Sequence, residues 1–115
     1  MSLDCLFCRI ARGDIPATFV YQDEDIVAFR DIHPMAPTHI LLIPTLHISD
    51  VLQLTTAHGL LLGRLFILAS TLAKNEGIAE DGFRLITNTG PAAGQTVQHL
   101  HFHLLGGRAL TWPPG

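Results

Sequence analysis

Near its C-terminal end the chain alternates imidazole and apolar side chains: His99-Leu100-His101-Phe102-His103-Leu104. Such a period of two belongs to an extended strand, whose successive side chains point to opposite faces. The pattern puts His99, His101 and His103 on one face and Leu100, Phe102 and Leu104 on the other. A row of imidazoles is a poor core. It is a good active site, because imidazole serves as nucleophile, proton donor and acceptor, or metal ligand near neutral pH.

The segment feeding this strand, Asn88-Thr89-Gly90-Pro91-Ala92-Ala93-Gly94-Gln95-Thr96, is rich in turn formers. Loops of this kind aim several backbone N–H groups at one anion. An anion cradle beside a row of histidines suggests phosphoryl chemistry on an imidazole.

The rest of the chain supplies a frame. Residues 5–13 read as a short helix closed by Gly13. Residues 19–21 and 26–29 are apolar runs that read as two strands around Asp23-Glu24. Residues 39–43, apolar after His39, read as a buried central strand ended by Pro44, which has no N–H for the ladder. Thr55 or Thr56 caps a long helix running to about Asn75, with Gly77 as its stop. Its middle, Leu60 to Ala69, is apolar on nearly every side, so it must be buried on more than one face. Either the core takes all of it or a dimer interface shares it. Residues 82–88 and 97–105 read as the last two strands. One long helix with short, mainly antiparallel strands gives an α+β fold. The 115 residues are expected to form one domain, 1–115.

Formal net charge is −3, the basic residues are scattered, and Lys74 is the one lysine. No basic stripe argues for a nucleic-acid partner. A small phosphate held by backbone amides stays compatible with that balance. Asp4, the two cysteines and Arg9 interrupt any apolar N-terminal run, so no signal peptide is read. Gly63 and Arg64 break the Leu60–Ala69 stretch, which is shorter than the ~20 residues of a membrane span. The chain reads as cytoplasmic, with no membrane partner. In that compartment Cys5 and Cys8, at C-x-x-C spacing, point to metal or redox chemistry ahead of a structural disulfide, or to two inert thiols. A redox pair would want a preceding strand, and Met1 to Asp4 are too few for one.

The chain from Asn88 to Gly115 resembles the histidine triad (HIT) superfamily, and within it the histidine triad nucleotide-binding branch of purine nucleoside phosphoramidases. Leu105-Gly106-Gly107-Arg108 and the final Trp112-Pro113-Pro114-Gly115 match that branch's ending. Asp31-Ile32, Ala36-Pro37-Thr38-His39, Ile43-Pro44 and His47-Ile48 match its front half. Cys5-Leu6-Phe7-Cys8 and Ile15-Pro16-Ala17 match its start. The ordered blocks cover essentially the whole chain.

The resemblance implies a five-stranded sheet continued as ten strands across a homodimer. It makes His101 the nucleophile, with a nucleotidyl-histidine intermediate, and puts His103 beside the phosphate and leaving group. It brings His39 next to His101, to orient that ring. Thr96, replacing a serine frequent in the branch, would donate to a phosphate oxygen or the leaving nitrogen. Asn88 would donate to the α-phosphate side, with Gly94, Gln95, Thr96 and Val97 supplying further donors. Ala93 replaces a glycine; were φ positive there, alanine would cost ~1 kcal/mol or more. Asp31 would accept from both ribose hydroxyls, and Phe7, Ile10, Ile15, Phe29, Ile32 and Leu41 would wall a purine pocket. In bacterial-type members and in galactose-1-phosphate uridylyltransferases, two N-terminal cysteines, a central histidine and the first triad histidine bind a structural zinc. Carried over, these are Cys5, Cys8, His47 and His99.

His33 and His58 match no role and read as solvent-facing. The Trp112-Pro113-Pro114 tail is implied to cross the dimer and edge the partner's site; the plainer alternative is a packed tail. The expected activity is hydrolysis of a purine nucleoside 5′-phosphoramidate or aminoacyl-adenylate-like anhydride, with no catalytic metal. Its rivals are a dinucleoside polyphosphate hydrolase or nucleotidyl transferase of the superfamily, a nucleotide-binding regulatory protein, and a histidine-rich metal buffer.

Overall fold

The computed structural model describes residues 5–115. Met1 to Asp4, and with them the Asp4 that breaks the N-terminal run, lie outside the described residues.

A six-residue helix, α1 (Leu6–Ala11), is followed by strands β1 (Phe19–Gln22), β2 (Ile26–Arg30) and β3 (Thr38–Pro44). The long helix α2 (Gly59–Asn75) then leads to β4 (Phe83–Ile86) and β5 (Phe102–Gly106). The five strands form one antiparallel sheet in the order β1-β2-β3-β5-β4. The α+β reading is borne out.

Local chemistry sets the element ends. The Cys5 sulfur accepts the Cys8 N–H at 3.3 Å and caps α1. Asp23 turns β1 into β2 by accepting the N–H groups of Asp25 and Ile26, each at 2.8 Å. Thr55 does cap a helical turn, but a separate 3₁₀ turn (Thr56–His58) precedes α2. His58, expected to face solvent without a role, is half-buried: its Nδ1 accepts the Thr55 N–H at 2.9 Å and completes a capping box.

The alternation along β3 and β5 divides the interior. Ile40, Leu42, Phe102 and Leu104 face α2, where they meet Leu65, Ala69, Leu72 and Ala73 in the main core. Leu41 and Ile43 face the other way and join Phe7 and Ile10 of α1 with Val27 and Phe29. His39, His101 and His103 share this second face with α1. Fully burying a side chain such as Leu65 or Leu104 contributes about 1.5–3 kcal/mol, so the sheet is held chiefly from the α2 side. The α1 side remains available for a site.

Two expectations need correction. The last strand starts at Phe102; Val97 to His99 are bends, because that segment leaves the ladder to meet α1 and residues 47–49. The chain's own core does not take all of the long helix: it buries one face and leaves Leu60, Phe66 and Ile67 80, 52 and 68% exposed. With its 3₁₀ turn, Thr56–Asn75 is 20 residues, by length and composition long and apolar enough to cross a membrane, contrary to the shorter reading above. Its Leu65, Ala69, Leu72 and Ala73 pack on the sheet, as in a core helix.

Candidate active site and metal centre

The histidine row divides into two sites. His101 and His103 border a cleft of about 380 Å³ between α1 and the sheet. Its apolar wall is formed by Phe7, Ile10, Ile15, Phe29 and Leu41, with Ile32, 85% exposed, at the rim. Asp31, Thr96 and Val97 complete the mouth. Phe7, Ile10, Phe29 and Leu41 are core residues and cleft wall at once. His99 turns away from the cleft and is wholly buried.

Hydrogen bonds fix which nitrogen of each ring carries the proton. The Nδ1 of His101 lies 2.7 Å from the His99 carbonyl, an acceptor, so Nδ1 holds the hydrogen. Nε2 is left with its lone pair. The Phe7 ring packs edge-on against His101 at 5.0 Å and holds its orientation. Thr87, which sequence reasoning passed over, donates its hydroxyl to the His101 carbonyl at 2.8 Å.

His39 does not join His101, as the resemblance implied; it joins His103. The Met35 N–H donates to His39 Nδ1 at 3.0 Å, so the proton of His39 is on Nε2. That Nε2 sits 2.9 Å from His103 Nδ1 and 3.5 Å from Asp31 Oδ2. The chain Met35 N–H, His39, His103 therefore leaves His103 with a proton on Nε2. Burial holds His39 below the usual imidazole range, with Asp31 opposing. Burial first, then the His101 and His39 rings, push His103 down to about 4. His103 is thus a neutral N–H donor at physiological pH. Asp31, His39 and His103 also lie within reach of one ion. His39 Nε2, however, is a donor here and lacks the lone pair a metal needs.

The turn before the row is shaped by two glycines, Gly90 and Gly94, both at φ +86°. Ala93 closes the 3₁₀ turn (Pro91–Ala93) at an ordinary φ, so its methyl costs nothing there. The N–H groups of Gly94 and Gln95 already donate within the turn, to Pro91 and Gly90. The Gln95 side chain points inward and is fully engaged. Of the expected phosphate donors, Thr96 and Val97 face the cleft. Asn88 lies on the far side of His103, in a second cleft of about 740 Å³ that also meets His39, Arg84 and Trp112. Arg84 donates to the Thr111 carbonyl at 2.9 Å and holds the tail, whose Trp112 is 82% exposed. His33 is exposed, as expected; its N–H donates to Asp31 Oδ1 at 2.8 Å and sets that carboxylate at the mouth.

On the closed side, Cys5, Cys8, His47 and His99 bring their ligand atoms within 4.8 Å of one another. Cys5 Sγ is 3.3 Å from His99 Nδ1, and Cys8 Sγ is 3.2 Å from His47 Nδ1 and 3.6 Å from His99 Nδ1. A tetrahedral zinc with bonds of ~2.3 Å to sulfur and ~2.0 Å to nitrogen separates its ligands by roughly 3.3–3.8 Å. His99 Nε2 donates to the Pro44 carbonyl at 2.8 Å, which leaves Nδ1 as the lone-pair nitrogen. Burial lowers His99 and raises the Cys8 thiol to about 11, with Cys5 adding to the rise. Two buried thiols and two imidazoles so disposed fit a closed Cys₂His₂ ion.

Comparison with known proteins agrees with this geometry. Residues 12–110 match the family model described as HIT domain. The chain is 51% identical to the purine nucleoside phosphoramidase of Escherichia coli K12, over 96% of this chain and 92% of that protein. It is 47% identical to a 14 kDa zinc-binding protein of Zea mays, over 96 and 87% of the two chains. A crystal structure of a HIT family hydrolase from Legionella pneumophila superposes with a TM-score of 0.96, at 52% identity, over 97% of this chain and all of that one. The histidine row, the cleft beside it and these matches together make the chain a member of the HIT domain family.

Proposed function

We propose that the protein hydrolyses purine nucleoside 5′-phosphoramidates and related adenylates through a nucleotidyl-histidine intermediate. The observation that carries the reading is the pair of complementary nitrogens at one cleft. His101 offers a lone pair on Nε2, and His103 offers a proton on Nε2. The likeness to a protein named purine nucleoside phosphoramidase supports it.

In this reading the purine lies among Phe7, Ile10, Ile15, Phe29 and Leu41, with Ile32 at its edge, and Asp31 accepts from the ribose hydroxyls. His101 Nε2 attacks the α-phosphorus, the P–N bond to the leaving amine breaks, and the amine takes a proton from water in the open cleft, which the water of the second step returns to solvent. His103 Nε2–H, Thr96 and the Val97 amide hold the phosphoryl oxygens as charge develops on them. Water then cleaves the P–Nε2 bond and releases the mononucleotide. No metal takes part in either step.

Zinc held by Cys5, Cys8, His47 and His99 would tie α1 to the catalytic segment and supply stability without activating water. A relative named for zinc binding supports this. The exposed Leu60, Phe66 and Ile67 of α2 and the free edge of β4 support a homodimer that extends the sheet. Paired thiols serving as ligands suit a reducing, cytoplasmic setting, with the whole chain acting as one domain.

The test is AMP release from adenosine 5′-phosphoramidate in the presence of EDTA, for wild type and His101→Ala. Turnover lost only in the variant supports the reading. A folded, AMP-binding wild type without turnover would sink it, and a panel of leaving groups would then identify a polyphosphate hydrolase or a binding protein.

A further inference from the structure

In the turn from Gly90 to Val97, residues 91–94 and Thr96 are exposed, Gly90 and Val97 are half-buried with Val97 packed on the α1-side core, and no residue but one is buried. Gln95 is the exception. It is 7% exposed, and every polar group of its amide is used inside the protein. Its Oε1 accepts the Gly90 N–H at 2.9 Å. Its Nε2 donates to the Val97 carbonyl at 3.1 Å and to the Ser49 carbonyl at 2.9 Å. The Gln95 N–H returns to the Gly90 carbonyl at 3.1 Å, so main chain and side chain close the turn together. The bond to Ser49 leaves the turn for the segment that follows His47, and the Ile48 carbonyl accepts the Leu100 N–H beside it.

We infer that Gln95 is a positioning residue, a buried strut that sets the Thr96 and Val97 amides against His101 by anchoring the turn on residues 47–49. The inference rests on the reading under Proposed function and deepens it. Amide donors lower a barrier only when they are already aimed at the developing charge. A turn exposed over residues 91–94, carrying two left-handed glycines and packed through Val97 at its far end, needs a second anchor to hold such an aim. Gln95 supplies it without touching substrate. A leucine would fill the space and make none of the three bonds. A glutamate would keep the acceptor for Gly90 but turn carboxylate oxygen toward two carbonyls.

The test uses the full chain and its Gln95→Leu and Gln95→Glu variants, each checked for wild-type metal content. Turnover of adenosine 5′-phosphoramidate, binding of AMP and of adenosine, and amide hydrogen exchange over residues 90–97 are measured. We expect kcat to fall roughly 10- to 100-fold in both variants. AMP weakens several-fold, adenosine binds as in wild type, and exchange over 90–97 accelerates. An unchanged kcat overturns the proposal. So does weakening of adenosine in step with AMP, which marks a general structural defect. Loss of AMP affinity with wild-type exchange in the free protein also overturns it, because Gln95 would then be a direct ligand. Should the variants fail to fold, the wild-type Gly90 amide decides. Exchange slower than at its exposed neighbours supports the strut, and fast exchange removes it. A wild type without turnover defeats the functional reading alone, because exchange and the AMP-to-adenosine ratio still report on Gln95.

Discussion

His99 and His101 are the same side chain two residues apart, yet they occupy opposite kinds of site. His99 is sealed, its Nε2–H on the Pro44 carbonyl and its Nδ1 turned to two sulfurs. His101 borders an open cleft with the reverse assignment: Nδ1–H on a carbonyl and Nε2 left bare. One backbone acceptor per ring decides which nitrogen keeps its lone pair, and the surroundings decide what that lone pair meets. The two sites also share an atom group, because the carbonyl that orients His101 belongs to His99.

Breaking the two sides separately should give opposite signatures. His101→Ala is expected to lower turnover on the order of 10⁴-fold or more while leaving thermal stability near wild type. Calorimetry beside single-turnover kinetics checks both halves. Cys8→Ala should do the reverse: zinc measured per chain falls from one to none, and Tm drops by roughly 10 °C or more. If Cys8→Ala melts with wild type, the closed side carries no structural ion.

Three finer changes sharpen the contrast within the open side. His39→Ala removes the donor that fixes His103, so kcat should fall about 10- to 100-fold with little change in Tm. Unchanged kcat would show that His103 keeps its tautomer unaided. The second change concerns pH. His103 stands near 4 in the fold against an ordinary 6.5, so below 6.5 the unfolded chain takes up a proton that the fold refuses. Stability should therefore be complete above pH 6.5 and decline between 6.5 and 4. His103→Gln should flatten part of that decline in a pH series of melts. The smallest effect belongs to Thr87→Val, which deletes one hydroxyl bond to the His101 carbonyl. About 1 kcal/mol of stability and a few-fold in kcat are expected.

The sheet and the helices were legible because they rest on period and spacing. But the period put His99 on the face of His101 and His103, whereas the chain bends at residues 97–99 and buries His99 beside the two cysteines; that separation was implied by the resemblance alone. His101 and His103 face the cleft, and Phe102 and Leu104 the core, as a two-residue repeat requires. What escaped the sequence depends on contacts between distant segments. Nothing near Gln95 in the chain marks its bond to Ser49, so the internal bonds that occupy its amide were not legible. His39 pairs with His103 because β3 and β5 register Leu41 opposite His103 and His39 opposite Leu105, an offset that spacing along one strand does not report. The exposed side of α2 was left between two alternatives for a different reason: an apolar helix demands cover, and the sequence does not say whose.

The Cys5–His99 contact joins residues 94 positions apart. A nascent chain still lacking its last twenty residues has the Cys5-x-x-Cys8 pair and strands β1 to β3, but lacks β5, which joins β4 to the sheet, and with it His99, His101 and His103. Conversely, a chain clipped ahead of Cys8 keeps the nucleophile and loses the clasp on the segment that holds it. The chain must therefore extend through β5, and His99 must reach Cys5, before the cleft is assembled. The same late-made stretch of chain thus closes the cleft and meets the first helix.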